Sequence, residues 1–423
     1  MSGRRASRSQ CSPTRSRARA VSGGNSIPAI LGPRKDRGRL FVACFRRASA
    51  PVQLHRDRRQ APDVRRGAAR LLGPRGGACM NGALPQDVAA RVRELGPERV
   101  ERIYEPELGL LAYVVLDSTV LGPAAGGVRT RAYASELAVA EDACRLARAM
   151  TYKCALGGID AGGGKVVVRA SPALKREEAF AALGRLVDSL DGDLRTAGDY
   201  GTTDADLAAM GSRYVHADTA TLSGSVARGV LRCAEAIADV KGRPGLSGLR
   251  AAVQGVGDIG AAVARAFTEA GARVCIADVD EARAAQIADE IGAEIVAPED
   301  ILYEDVDLLS PCAVGDVLSL DVAQRLRAWA IVGGANNITT GLDVDEALQR
   351  RGVTFVPDLL SSAGAVIEGI GRTVMGMGQE DRQNLVDTLR QTALLVLEDA
   401  ARTGEPPITH AIRRAEARIA HAR

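Results

Sequence analysis

The chain has 423 residues, 46% hydrophobic and 25% charged, with a formal net charge of +3, which is length enough for two domains with full cores. Residues 1–79 hold 18 Arg and one Lys against three Asp and no Glu, leaving 36 basic and 49 acidic residues beyond them, and that acidic remainder argues against a nucleic-acid or membrane-surface binder. No apolar run approaches the ~20 residues of a spanning helix, and eight cysteines without a C-x-x-C pair plus four scattered histidines point to reduced thiols in a cytoplasmic protein with no metal site.

Residues 1–79 show no sustained helical or strand period and read as a disordered, Arg-rich extension. Three accounts of them stand open: a transit peptide, for which the first 20 residues lack an apolar face; an extension upstream of a working start at Met80; and generic charge-driven contact with nucleic acid, without aromatic interleaving. From Val100 to Leu116 the pattern gives two strands joined by "EPELG". "LGPAAGGVRTRAY" (Leu121–Tyr133) reads as a glycine-rich loop, and Ser135 suits the N-cap of an amphipathic helix over 136–150. That helix delivers "MTYK", which places Lys153 twelve residues before Lys165.

"GGIDAGGGKVVV" (Gly157–Val168) sets three glycines directly before Lys165. It is no phosphate loop, because that motif needs glycine where Ile159 stands and Ser or Thr where Val166 stands. The reading left is a flexible turn that admits another group close to the backbone, with Lys165 at the mouth of a buried strand. A plain glycine turn with a snorkelling lysine is the competing account. Composition adds weight to chemistry: only five of the 55 Lys+Arg are lysines, namely Lys35, Lys153, Lys165, Lys175 and Lys241. Lysine, unlike arginine, can lose its proton.

A second helix is expected over 176–190, followed by "LRTAGDYGTTDADL", with Asp199 on a loop between Gly198 and Gly201. The strongest local signal is "LRAAVQGVGDIGAAVARAFTEAGARVCIADVD". A strand ending at Gln254 leads into Gly255-Val256-Gly257-Asp258-Ile259-Gly260, a helix, and a second strand ending in Asp278. An acid 23 residues after the first glycine completes a dinucleotide fingerprint, and Asp278 favours NAD over NADP by accepting from the ribose hydroxyls. Strands at "DLLSPCA", "AIVGGANN" and "VTFVPDLL" complete a doubly wound sheet. After Ile367 the pattern is helical: Leu385, Leu389, Ala393 and Val396 line one face, Gly404 with Pro406-Pro407 ends that helix, and a short last helix closes the chain.

The sequence resembles the Glu/Leu/Phe/Val amino-acid dehydrogenase family, in its leucine, valine and phenylalanine branch. The resemblance runs from about Glu98 to the C-terminus and is carried by "LGPAAGGVRT", "ARAMTYKCALGGIDAGGGK", "TAGDYGT", "VQGVGDIG", "SPCAVG", "GGANN" and "PDLLSSAGAV". It implies an α/β chain of two domains. An N-terminal α/β substrate-binding and dimerisation domain would span 80–221, and a Rossmann doubly wound NAD-binding domain 222–367. C-terminal helices over 368–423 would pack back towards the first domain.

The resemblance further implies oxidative deamination of a branched-chain or aromatic L-amino acid to a 2-oxo acid and ammonia, with NAD as hydride acceptor, by a homo-oligomer. A related dehydrogenase acting on another amine, and a NAD-binding protein without turnover, stand as alternatives. Lys165 and Asp199 would be catalytic, Lys165 as base on the attacking water and Asp199 shuttling protons at the amino group. Lys153 would bind the substrate carboxylate, and Ala125, Gly126, Gly127, Met150 and Ser362 would line the substrate pocket. The glycines ahead of Lys165 would remove bulk so that substrate and nicotinamide come close. Besides residues 255–260 and Asp278, NAD would meet Pro311, Cys312, Ala313 and Asn337. The sequence departs from the family where Ser362 replaces an asparagine, where Ala125 replaces a common leucine, and where a Gly-x-Pro-Ser-Pro-x-Thr stretch is missing before Gly229. Volume is lost at each, which favours a bulky substrate, aromatic or long aliphatic.

Overall fold

The computed structural model describes residues 84–216 and 222–423. The readings of residues 1–79, of a start at Met80, and of the missing stretch at 217–221 lie outside the described residues.

The first sheet comprises β1 (Arg99–Glu105), β2 (Leu110–Ser118), β3 (Ala124–Arg131), β4 (Gly162–Arg169), β5 (Leu194–Gly198) and β6 (Val215–His216), in the order β1-β2-β4-β3-β5-β6. The hairpin β1–β2 is antiparallel and β2 pairs antiparallel with β4, whereas β3 to β6 run parallel. Helices α1 (Gln86–Leu95) and α2 (Glu136–Leu156) cover one face; α3 (Arg176–Ser189) and α4 (Asp204–Met210) cover the other. The run Val166-Val167-Val168 follows from this sandwiching. Val166 and Val168 enter the α3 core while Val167 enters the α2 core, so the strand is apolar throughout rather than alternating.

Two expectations change here. Leu121–Tyr133 is not a loop, since its central residues form β3 between β4 and β5. Glycine is a poor strand former, but a Cβ at Gly126 would lie 1.8 Å from the Gly164 carbonyl oxygen, so strand contact itself demands the missing side chain. The helix expected over 136–150, capped by the Ser135 hydroxyl as expected, also runs further, to Leu156.

The second sheet is wholly parallel: β7 (Arg250–Gln254), β8 (Arg273–Ala277), β9 (Glu294–Ile295), β10 (Leu308–Pro311), β11 (Ala330–Ile331) and β12 (Thr354–Phe355). Its order, β12-β11-β10-β7-β8-β9, is that of a Rossmann fold. The strand at β9 gave no sequence signal. Around this sheet lie α5 (Ser223–Val240), α6 (Asp258–Glu269), α7 (Glu281–Ile291), α8 (Leu320–Arg325), α9 (Leu342–Arg350), α10 (Asp358–Ser361) and α11 (Gly364–Thr373).

The C-terminal helices are α12 (Gln379–Asp387), α13 (Leu389–Thr403) and α14 (Pro407–His421). The single helix expected across Leu385–Val396 is broken at Thr388, whose hydroxyl turns back onto the Leu385 carbonyl. Leu389, Ala393 and Val396 are buried on α13, and Leu385 stays behind on α12 against Gly158. The last helix is not short: Pro407 opens it and it runs 15 residues, proline being well suited to a first helical position. It lies on α2, where Arg418 donates to the Cys154 and Ala155 carbonyls at 3.0 and 2.9 Å and to Asp160 at 2.7 Å. Among the described residues no helix is long and apolar enough to cross a membrane.

Candidate active site

The glycines before Lys165 are strand residues, which corrects the turn expected there. A Cβ at Gly163 would fall 2.2 Å from both the Ala147 carbonyl oxygen and the Thr151 amide, in the backbone of α2. Protein groups rather than substrate or nicotinamide therefore fill these positions: the helix carrying Lys153 at Gly163, the Ser118 carbonyl at Gly162 and the Leu194 side chain at Gly164. Lys153, in the last turn of α2, and Lys165, four residues into β4, are 8% and 6% exposed.

Asp199 follows directly on β5, whose register sets Ala197 opposite Gly127. Lys165 Nζ donates to Asp199 Oδ2 at 2.6 Å. A Cβ at Gly127 would lie 2.7 Å from Asp199 Cβ and 3.4 Å from Lys165 Nζ, so glycine at 127 leaves the pair room to meet. Burial pushes the Lys165 amine below its ordinary range, with Asp199 opposing and Arg129 assisting. Burial raises Asp199, but Lys165 and Arg129 outweigh it and keep the carboxyl low. Burial likewise lowers Lys153, against Asp358 and together with Lys165. Desolvation of this kind favours the neutral amine, the form a general base needs.

Ala125, Gly126, Gly127, Met150, Lys153, Lys165, Asp199 and Ser362 all line one cavity of about 410 Å³ between the two sheets. Lys153 donates to Asn336 Oδ1, a partner for which the sequence gives no role; of the two asparagines in "GGANN", Asn337 is the one expected to meet NAD. Asn337 instead takes a left-handed φ of 53°, donates its N–H to Asp358 at 2.9 Å and lines a separate cavity of about 300 Å³. Ser362 donates to the Asp358 carbonyl at 2.6 Å and approaches Asn336 Oδ1 at 3.4 Å. Arg195, His216 and Arg372 also border the main cavity; none carried a motif that could have flagged it.

The turn from β7 into α6 suits a dinucleotide. Gly255 has φ 84°, and a Cβ there would strike Ala313 at 2.5 Å. A Cβ at Gly260 would lie 1.8 Å from the Gly255 carbonyl oxygen and 3.1 Å from Cys312 Cβ, so Cys312 and Ala313, after Pro311 at the end of β10, abut the glycine turn. Nothing but Arg283 lies within 4 Å of a Cβ on Gly257, and the N-terminus of α6, opened by Asp258, has no side-chain cap. Its amides are thus available to a phosphate. Asp278 stands beside them, accepting from the Val256 amide at 2.7 Å, and Ile259 reaches the main cavity. Among the described residues no cluster of His, Cys, Asp and Glu could hold a metal ion, and Cys144, Cys154, Cys233, Cys275 and Cys312 are free and buried.

Comparison with known proteins bears on this arrangement. Residues 104–216 match the dimerisation domain of Glu/Leu/Phe/Val dehydrogenases, and residues 275–422 match the Glutamate/Leucine/Phenylalanine/Valine dehydrogenase domain. A leucine dehydrogenase from Thermoactinomyces intermedius is 35% identical over 332 residues, 76% of this chain and 90% of that one. The chain belongs to the Glu/Leu/Phe/Val dehydrogenase family. It is accordingly an amino-acid dehydrogenase, an oxidoreductase, of the leucine and phenylalanine branch. An L-tryptophan dehydrogenase from Nostoc punctiforme is 33% identical over 339 residues, 78% of this chain and 96% of that one. The crystal structure of L-tryptophan dehydrogenase from Nostoc punctiforme superposes with a TM-score of 0.71 at 32% identity, covering 79% of this chain and 99% of its own. A hetero-hexameric glutamate dehydrogenase from Thermus thermophilus shares the fold, with a TM-score of 0.63 at 22% identity.

Proposed function

We propose that the protein oxidatively deaminates an L-amino acid with a branched-chain or aromatic side chain to the 2-oxo acid and ammonia, using NAD. The observation that carries this is the pair of buried Lys165 with half-buried Asp199, facing Lys153 and Asn336 across one cavity. Lys153 and Asn336 hold the substrate carboxylate, a charged bond and a neutral one converging on the same group. Asp199 takes a proton from the substrate ammonium. NAD, when bound, supplies the hydride acceptor for Cα. Lys165, unprotonated, then removes a proton from the water adding to the resulting iminium carbon. Asp199 returns its proton to the amino group of the carbinolamine, and the hydroxyl proton leaves with ammonia as ammonium when the C–N bond breaks and the carbonyl forms.

Residues 255–260 and Asp278 would hold NAD, with Pro311, Cys312 and Ala313 behind the glycine turn. Asp278 supports NAD over NADP because a 2′-phosphate would meet its carboxylate. The match of residues 104–216 to a dimerisation domain supports a homo-oligomer formed through the first sheet. A bulky side chain is favoured by Ala125, by the adaptable Met150 and by apolar walls from Leu222, Val226, Val366 and Ile370.

Reduction of NAD by the purified protein with a panel of amino acids tests this. Leucine, phenylalanine or tryptophan should lead alanine and valine in kcat/KM, in graded steps, since one methylene is worth only ~1–3 kcal/mol. Ala125→Leu should shift the preference to smaller side chains, and Asp278→Ala should raise NADP use. No turnover with any amino acid would sink the proposal. Valine leading, with no shift on Ala125→Leu, would sink the assignment of substrate size.

A further inference from the structure

Asp199 does not belong to Lys165 alone. Arg129, in β3, donates from Nε to the same Oδ2 at 3.1 Å, against 2.6 Å for Lys165. Register places Arg129 opposite Val167 and Val128 opposite Gly198, so the guanidinium and the Lys165 amine reach one carboxylate from the same face of the sheet. A second carboxylate fixes Arg129 from behind. Its Nη1 lies 3.4 Å from Asp142 Oδ2, and Asp142, 9% exposed on α2, also accepts from Tyr133 at 2.6 Å and Arg145 at 3.0 Å. Arg129 itself does not border the substrate cavity.

We infer that Arg129 is a positioning residue: by sharing Asp199 Oδ2 it takes up part of that carboxylate's charge and frees the Lys165 amine to work as a base. This rests on the proposed role of Lys165. The charges facing that amine are Asp199 after β5, Arg129 on β3, and Asp142 and Lys153 on α2. Left alone with Asp199, a buried amine keeps its proton, because the paired charges stabilise each other and neutralising one strands the other. A second, permanently charged cation on the same oxygen removes that cost. Arginine suits the task because it never gives up its own proton. Removing Arg129 strengthens the hold of Asp199 on Lys165 and deletes a repelling charge, and both effects favour protonated Lys165. Removing the charge of Asp142 does the reverse.

Two readouts test this: the acid limb of kcat/KM against pH for the leading amino acid, and the pH midpoint of Lys165 acetylation by acetic anhydride, followed by peptide mass spectrometry. Arg129→Met should raise both midpoints by roughly one to three pH units, with the lost activity recovered at high pH. Arg129→Lys should lie close to wild type, and Asp142→Asn, which still accepts from Tyr133, should move both midpoints down. Unmoved midpoints in Arg129→Met, or an activity loss that is even across pH, would overturn the inference. Should Arg129→Met fail to fold, the sign of the Asp142→Asn shift decides: downward supports, upward or zero overturns. A wild-type protein without turnover would sink the dehydrogenase mechanism, while the acetylation midpoints would still decide what Arg129 does.

Discussion

Lys165 and Lys153 share a cavity, but the proposed mechanism asks different things of them. Lys165→Ala should lower kcat by ~10²–10⁴-fold, the usual worth of a positioned base, with NAD affinity unchanged by titration calorimetry. Lys153→Ala should raise KM strongly, because its contact with the carboxylate is made in ground and transition states alike. Gly127 allows a sharper test of geometry. A methyl group there would sit 2.7 Å from Asp199 Cβ, so Gly127→Ala should part the Lys165–Asp199 pair and cost roughly 10²-fold in kcat, while circular dichroism remains native. Both lysines were legible in the sequence because the chain otherwise writes arginine almost wherever it needs a cation. Asn336 was not, since only a left-handed backbone turn distinguishes it from its neighbour, and no side-chain pattern reports φ. Arg129 was hidden by that same abundance of arginine.

At the level of elements, the position of Lys153 depends on the end of α2, where Arg418 of α14 supplies a cation and two hydrogen bonds to helix carbonyls, with a third to Asp160 beyond it. A helix C-terminus leaves carbonyls without partners, and a positive charge there is stabilising. Arg418→Ala should therefore lower stability by about 1–2 kcal/mol in thermal denaturation, and raise KM more than it lowers kcat. The main helices and the Rossmann strands other than β9 were legible because their periods and turns agree with the fold. Strand β3 was not, because Gly126 and Gly127 suppress the usual strand signal where neighbouring backbone and the Lys165–Asp199 pair leave no room for side chains. The break at Thr388 is hidden for the opposite reason: the apolar spacing continues across it, although the Thr388 hydroxyl turns back onto the Leu385 carbonyl.

Across the whole molecule, one buried carboxyl makes stability depend on pH. Asp345 is 6% exposed and its Oδ1 has no hydrogen-bond partner among the described residues. Burial pushes it up to about 7, with Asp358 and Asp343 adding to the shift. The folded state thus binds a proton more tightly than the unfolded chain, so this contribution is fully present below the ordinary aspartate range and is lost as pH rises through about 7. Asp345→Asn should then stabilise the protein by roughly 2–4 kcal/mol at pH 8 and by much less at pH 5, as read from denaturant midpoints at the two values. Such three-dimensional isolation was not legible in the sequence, where Asp345 looks like an ordinary acid in the first turn of a helix.

The packing of α2 on β4 through Gly163 has a consequence for how the protein folds. It joins segments that follow one another in the chain, with Lys153 and Lys165 only twelve residues apart, so the loop to be closed is short and its entropy cost small. Asn336 and Ser362 reach the cavity from positions more than 160 residues beyond Lys165, and contacts of that separation form slowly. The two amines are thus expected to be set in place early, with Asn336 and Ser362 arriving last. Lys165 already has Asp199 and Arg129 of its own sheet beside it, so it is Lys153 whose partner waits for the second sheet to dock.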